Sequence, residues 1–387
     1  MIVGAGPGGC AAAIALRRRG APAHLLDRAR FPRDKVCGDV LLPAALDALR
    51  DLGLPVEELR RLGTVCHGAR IVFPGGRDIS GPFDGVSRDA QWLIVRRLVF
   101  DNWLLDRARD AGARVTEETE VTGVRRSGDG AVTGLTMRRG SRREQVLESS
   151  GVLAADGASS RLAGLLGSRP VSGAGLGVAA RGYARGVGAA AEVEVHLAKE
   201  TLPGCVWVVP AGGDSWNVGL GYVRAAGRRS APAPAALLGA LRESLPGFRE
   251  RLNGSAVEDL RGWFLPLAPG RDRLHGRGWL LAGDAAGLID PLTGHGIHNA
   301  IRSGVLAGEA LAPAASSGEA PDPALLAAYE ATVRGTIVKQ AMRHGVLRRL
   351  MRHPSLATAL SLVAGWTPVK RRLLAVVGHA APGARAA

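Results

Sequence analysis

The sequence predicts an α/β protein: a Rossmann-type domain interrupted by an antiparallel-sheet domain and followed by a helical, basic C-terminal tail. Three observations predict it. A strand, a glycine turn, a helix and a second strand open the chain. Two further strands end in Gly/Asp turns, at residues 155–161 and 283–286. Between about 171 and 263, apolar and polar residues alternate in short runs broken by glycine and proline. The Rossmann parts are therefore discontinuous, over 1–66, 89–165 and 266–312. The sheet domain takes 67–88 and 166–265, and the tail 313–387.

Residues 1–3 form a strand stub, short enough to suggest that upstream residues are missing. Gly4-Ala5-Gly6-Pro7-Gly8-Gly9 leads into an alanine-rich helix through Arg19, and a strand follows at 23–27. A loop over 31–39 precedes a helix at 43–52, and short strands with a turn at Pro74-Gly75-Gly76 occupy 68–83. Leu98, Val99, Trp103, Leu104 and Ala108 recur at helical spacing and predict a helix over 96–111. Strands follow at 114–124, 132–138 and 151–155, with another buried strand at 280–282. The rest is mostly helical, with a proline-containing loop at 313–323 setting the tail apart from the core.

At 387 residues the chain exceeds one ordinary core, and its 46% apolar content is globular. The formal charge is +15, and ten Lys or Arg with no Asp or Glu lie from Arg334 onward. A local excess of this kind suits peripheral contact of residues 334–387 with an anionic membrane. The basic residues from Lys339 to Arg352 do not segregate to one helical face, so charge favours this contact and amphipathicity does not. No segment reaches the roughly 18 apolar residues of a spanning helix. Nothing in the sequence resembles a nucleic-acid module or a secretory leader, and Cys10, Cys37, Cys66 and Cys205 have no metal-like spacing. The expected setting is cytoplasmic, reducing and metal-free.

Gly4, Gly6 and Gly9 fit G-x-G-x-x-G between a strand and a helix. The first permits the tight turn, the second admits a pyrophosphate against the backbone, and the third lets helix and strand approach. The helix N-terminus adds N–H groups and a positive dipole end for phosphates. Asp27, ending the second strand, stands where a ribose hydroxyl needs an acceptor. A dinucleotide is the expected ligand.

Ala155-Asp156-Gly157-Ala158-Ser159-Ser160-Arg161 and Gly283-Asp284-Ala285-Ala286 separate FAD from NAD. Together with the first motif they resemble the glutathione-reductase-like flavoproteins that include para-hydroxybenzoate hydroxylase. The resemblance implies FAD, with Asp284 on the ribityl chain and Arg97, in Arg-x-x-Phe-Asp, near the cofactor. Pro32-Arg33-Asp34-Lys35-Val36-Cys37-Gly38-Asp39 resembles the Pro-x-x-Lys-x-Cys-Gly segment of geranylgeranyl reductases and of reductases acting on menaquinone side chains. The run from Gly283 to Ile297 resembles the late flavin segment of the same family.

The resemblance implies a cofactor set of Gly4, Gly6, Pro7, Gly8, Gly9, Asp27, Arg28, Cys37, Gly38, Arg97, Asp156, Gly283, Asp284, Pro291, Gly294, Gly296 and Ile297. Cys37 and His295 become the candidate catalytic groups; His295 stands where the family usually has glutamate. Cys205-Val206-Trp207-Val208-Val209-Pro210 aligns with the family's Tyr-x-Trp-x-Phe-Pro strand, keeping Trp207 and Pro210 as candidate substrate contacts. Trp216 and Trp263 join them as candidate tunnel walls. The implied activity is hydrogenation of carbon–carbon double bonds in an isoprenoid or prenyl-chain lipid, with electrons from NAD(P)H or a ferredoxin-type donor. The rival readings are an FAD-dependent monooxygenase acting on an apolar or natural-product substrate, a flavin halogenase, and a non-catalytic flavin-binding or lipid-carrier protein.

Overall fold

Burial on both faces selects short apolar strands for the middle of the central sheet, while an edge strand carries Arg114 and Thr116. Parallel strands β1 (Ile2–Val3), β2 (His24–Leu26), β8 (Arg114–Thr116), β12 (Val152–Ala154) and β19 (Trp279–Leu281) lie in the order β19-β12-β1-β2-β8, with antiparallel β18 (His275–Gly276) outside β19. The computed structural model describes residues 1–82, 91–171, 175–186, 192–223, 233–244, 248, 252, 255–370 and 373. Phe83, parts of the stretch expected as sheet between 171 and 263, and most of the tail beyond 370 lie outside the described residues.

A second sheet of seven strands draws on two stretches of the chain. Its order is β17 (Glu258–Pro266), β13 (Leu176–Arg185), β16 (Ser215–Val223), β15 (Cys205–Pro210), β14 (Glu192–His196), β5 (Gly68–Val72) and β6 (Asp78–Pro82). All neighbours pair antiparallel except β14 and β5. Two small sheets complete the set: β9 (Thr119–Arg126), β10 (Val132–Arg139) and β11 (Gln145–Glu148), and β3 (Val40–Leu41), β7 (Trp92–Ile94) and β4 (Thr64–Cys66). The strand expected over 114–124 divides, because Glu118 takes φ 55° and sends β8 and β9 into different sheets.

The helices are α1 (Pro7–Arg18), α2 (Pro43–Asp51), α3 (Val56–Leu62), α4 (Arg97–Asp110), α5 (Arg161–Leu165), α6 (Pro234–Ser244), α7 (Ile297–Ser317), α8 (Pro323–Val333), α9 (Lys339–Leu350) and α10 (Pro354–Val363). A π-helical turn at Arg334–Val338 joins α8 to α9. The expected loop at 313–323 is corrected at its first half: α7 runs through Pro313 and stops only at Gly318, which takes φ 79°. Proline forfeits one backbone bond there, but buried Leu311, Ala312 and Ala314 keep that turn docked. Leu326, Tyr329, Val333, Ile337 and Val338 join the main core, and the Tyr329 hydroxyl donates to the Leu281 carbonyl at 2.6 Å. The boundary read at 313 thus falls inside a helix, and the segment after it packs as core. No helix among the described residues is long and apolar enough to cross a membrane.

α1 and α7 cross at backbone distance. A Cβ on Gly304 would stand 2.1 Å from the Gly8 carbonyl oxygen, and one on Gly308 2.5 Å from that of Ala12. This contact fixes the glycine turn beside the segment that precedes α7. Gly304→Ala should therefore destabilise the protein by at least ~1–3 kcal/mol through overpacking. Gly345→Ala in α9, where a Cβ meets nothing within 4 Å, should stabilise it by about 0.5–1 kcal/mol. Denaturant unfolding of the two variants checks the opposite signs.

Candidate functional site

A continuous cavity of about 1030 Å³ runs from the glycine turn to the inner face of the seven-stranded sheet. Its size lies at the upper end of the ~300–1,000 Å³ usual for ligand sites. At one end lie Gly4, Gly6, Pro7 and Gly8, with Asp27, Arg28 and Asp156 around them. Gly4 takes φ 100°, and a Cβ there would stand 2.3 Å from the Ala155 carbonyl oxygen. Gly6 opens into the cavity, its nearest neighbour being Arg33 Nη2 at 3.6 Å. No side chain caps α1, so its first N–H groups are available to phosphate oxygens. Gly9 does not line the cavity; its missing Cβ would lie 1.8 Å from the Gly4 carbonyl oxygen, which makes it a packing residue. The Asp27 carboxylate accepts the Ala5 N–H at 2.7 Å and the Ala29 N–H at 2.8 Å while facing the cavity. These residues fit a dinucleotide with its pyrophosphate at α1.

The middle of the cavity is ionic. Arg97 holds Asp101 through two bonds, at 2.6 and 2.7 Å, and Arg33 reaches the same carboxylate at 2.8 Å. Burial acts to raise the Asp101 pKa, but Arg97 and Arg33 outweigh it and hold the carboxyl below its usual range. Lys35 pairs with Asp284 at 3.0 Å, joining the cysteine loop to the late Gly-Asp turn. Gly283, Pro291, Gly294, Gly296 and Ile297 follow along the wall, with His295, whose ring lies edge-on to Trp92 at 6.1 Å between centroids.

Cys37 and Gly38 sit where this ionic stretch meets the sheet. The Cys37 thiol is pushed up by burial and opposed by the neighbouring Arg97 guanidinium, the net effect being upward. Two residues on, Asp39 is fully buried with φ 62°. Its carboxylate accepts the Tyr183 hydroxyl at 2.7 Å, the Asn217 amide at 2.8 Å and the Arg97 N–H at 3.1 Å. Asn217 also donates to the Cys37 carbonyl at 2.8 Å and accepts the Trp207 indole N–H at 2.8 Å. Arg181 closes the loop by pairing with Asp34 at 2.8 Å. Burial raises the Asp39 pKa despite these donors.

Beyond Trp207 the cavity is apolar. Strand alternation puts Cys205, Trp207 and Val209 of β15 on the cavity side, and Val206 and Val208 in a separate core under α6. Pro210 falls on the second side and Trp216 joins that second core, so neither lines the cavity; Trp263 does. Leu347, Met351, Leu360 and Leu373 close the chamber from the C-terminal segment, which sequence reasoning had assigned only to a basic tail.

Arg33, Lys35, Asp39, Tyr183, Asn217, His344 and Arg348 are the residues that sequence reasoning missed as site groups. The first three stand inside the quoted cysteine segment, where proximity to the motif was the available signal. The others carry no local signal: Tyr183 and Asn217 meet Asp39, and His344 meets Asp290, across 50 or more positions, and the burial of Arg348 is set by the fold. His344 Nδ1 bonds the buried Asp290 carboxylate, anchoring α9 to the segment after Asp284. That hydrogen bond raises the His344 pKa against the opposing effect of burial. The pair's stability is then fully present below the unfolded value of about 6.5 and is lost as pH rises through the folded value. The stability difference between wild type and His344→Gln should be largest below pH ~6.5 and shrink on alkalinisation, as read by urea unfolding across pH.

Residues 1–215 match the family described as FAD binding domain. The chain is 33% identical to a menaquinone reductase of Mycolicibacterium smegmatis over 80% of its own length and 75% of that protein's. It is 32% identical to a digeranylgeranylglycerophospholipid reductase of Methanothrix thermoacetophila, over 89% and 85% of the two chains. The crystal structure of a geranylgeranyl bacteriochlorophyll reductase-like protein from Thermoplasma acidophilum superposes with a TM-score of 0.84 at 24% identity, covering 94% of this chain and 90% of that one. Glycine turn, cysteine loop and late Gly-Asp turn meet on one cavity, and the chain that builds them belongs to the geranylgeranyl reductase family of FAD-dependent oxidoreductases.

Proposed function

We propose that this protein is an FAD-dependent reductase that hydrogenates carbon–carbon double bonds of a prenyl-chain lipid, of the geranylgeranyl or menaquinone side-chain type. The observation that carries the reading is the cavity's polarity. A phosphate-binding glycine cradle and an ionic middle open directly into a chamber of aliphatic and tryptophan side chains. An apolar chain threaded there would displace water from the reacting end.

FAD bound in this cavity would supply hydride chemistry to one carbon of the alkene, with NAD(P)H or a ferredoxin-type protein as the proposed source of electrons. The chain's own part is to hold the cofactor, exclude water and protonate the other carbon. Gly4 to Gly8 and α1 would take the pyrophosphate, and Asp27, Asp156 and Asp284 would accept from sugar hydroxyls. Cys37 is the proposed acid. Burial keeps its proton on at neutral pH, and Arg97 beside it stabilises the thiolate left after donation. His295, on the same wall, is the second proton-holding group. Asn217, Tyr183 and Asp39 position the cysteine loop against the sheet.

The C-terminal helices are the proposed site of peripheral contact with an anionic membrane. Met342, Val346 and Leu350 are 58%, 58% and 53% exposed along one face of α9, and Leu362 and Trp366 are 62% and 68% exposed beyond it. Exposed Lys339, Arg343, Arg349 and Arg352 surround that ridge, an arrangement that suits acidic headgroups. The apolar residues add an exposed ridge at i, i+4 and i+8, although the helix as a whole is not strongly amphipathic.

Anaerobic incubation of the dithionite-reduced protein with geranylgeranyl and menaquinone substrates should yield products two daltons heavier per reduced bond. A gain of one oxygen in air would instead identify a monooxygenase. Cys37→Ala should keep its FAD and lose about 10²-fold or more in turnover; unchanged turnover would remove the thiol from the mechanism. On vesicles, the protein should sediment with anionic but not zwitterionic lipid, and replacing Val346 and Leu350 by Ser should abolish it.

A further inference from the structure

Among the described residues of the C-terminal segment, Arg348 combines charge, burial and access to the cavity. It lies near the end of α9, 7% exposed, and lines the chamber between Leu347 and Met351. Its Nε and Nη1 have no hydrogen-bonding partner among the described residues. Burying a guanidinium with open donors is unfavourable unless an acceptor completes it.

The charged groups around it offer no such acceptor. Arg349 and Arg352 repel it, and Asp290 is the attracting charge. That carboxylate is already engaged: Oδ1 accepts the Leu292 and Thr293 N–H groups and the Thr293 hydroxyl, and Oδ2 bonds His344. Nor does the ionic middle of the cavity need this residue, since Asp101 and Asp284 are neutralised there by Arg97, Arg33 and Lys35. What remains is a buried guanidinium on the wall of an apolar chamber with two donors unpartnered and its charge uncompensated, a setting that suits a phosphate at the head of an apolar chain.

We infer that Arg348 forms a headgroup subsite for a phosphate ester, so that the protein selects prenyl substrates carrying a phosphate over uncharged prenyl quinones. The inference rests on the prenyl-reductase reading above and names its substrate class. Arg348 is on this view a specificity-determining residue that acts in binding, with the proton and hydride steps left to other groups. A prenyl diphosphate and a prenyl glycerophosphate lipid present the same chemistry to it.

The test is equilibrium binding by calorimetry to the FAD-loaded protein, which does not depend on turnover. The probes are geranylgeranyl diphosphate, digeranylgeranylglyceryl phosphate, menaquinone and inorganic pyrophosphate. Arg348→Met should weaken the phosphate-bearing prenyl ligands by about tenfold or more and leave menaquinone within about twofold. Arg348→Lys should recover most of the loss, and pyrophosphate should compete against wild type only. Whichever phosphate-bearing ligand binds more tightly identifies the source of the phosphate. Equal weakening of menaquinone, unchanged phosphate-ligand affinity, or loss of FAD from Arg348→Met would each overturn the assignment. Failure of wild type to bind either phosphate-bearing ligand would also overturn it, and reduction of menaquinone in that case would leave the reductase reading standing.

Discussion

A buried aspartate has to be met by donors, and the way Asp39 meets this demand organises the site. Its carboxylate lies out of water and takes hydrogen bonds from β13, β16 and the start of α4. The eight-residue stretch ending at Asp39 is fastened elsewhere by Arg33 to Asp101, Asp34 to Arg181 and Lys35 to Asp284. Each of these charges reaches a different element. The cysteine therefore stands at a fixed place between the parallel sheet and the seven-stranded sheet, and moving either would leave charges unpaired in the interior.

The second constraint is steric. Gly304 and Gly308 let α7 lie directly on the backbone of α1, which puts Gly8 and the Gly283–Ile297 segment on one wall. Glycine is needed here for proximity; its conformational freedom matters at Gly4 and Gly283, which hold φ of 100° and 60°. Together the two kinds of glycine make a cradle that narrows onto backbone N–H groups and leaves the bulk of the cavity to apolar side chains.

The C-terminal segment contributes more than charge. Tyr329 bonds the strand that leads into Gly283, His344 bonds the segment after it, and Leu347, Met351 and Leu360 roof the apolar chamber. The outward side of the same helices is greasy and basic. The same helices thus present one side to the cavity and the other to solvent.

The local patterns were enough for the chemistry that depends on neighbours in sequence. Gly4 to Gly9, Asp27, the cysteine loop and the Gly283–Ile297 run declare their turns, their helix starts and the flavin family, because each is a short segment whose residues act together. Strand alternation was equally visible, but not its phase: only the built sheet shows Trp207 facing the cavity while Pro210 and Trp216 face away, since a one-residue choice inverts the face. Pro313 by itself signals a break, yet packing carries α7 through it. Asp39 with Tyr183 and Asn217, His344 with Asp290, and the isolated Arg348 were beyond the reach of sequence, because such interactions join residues that only the tertiary fold brings within hydrogen-bonding distance or shuts away from water.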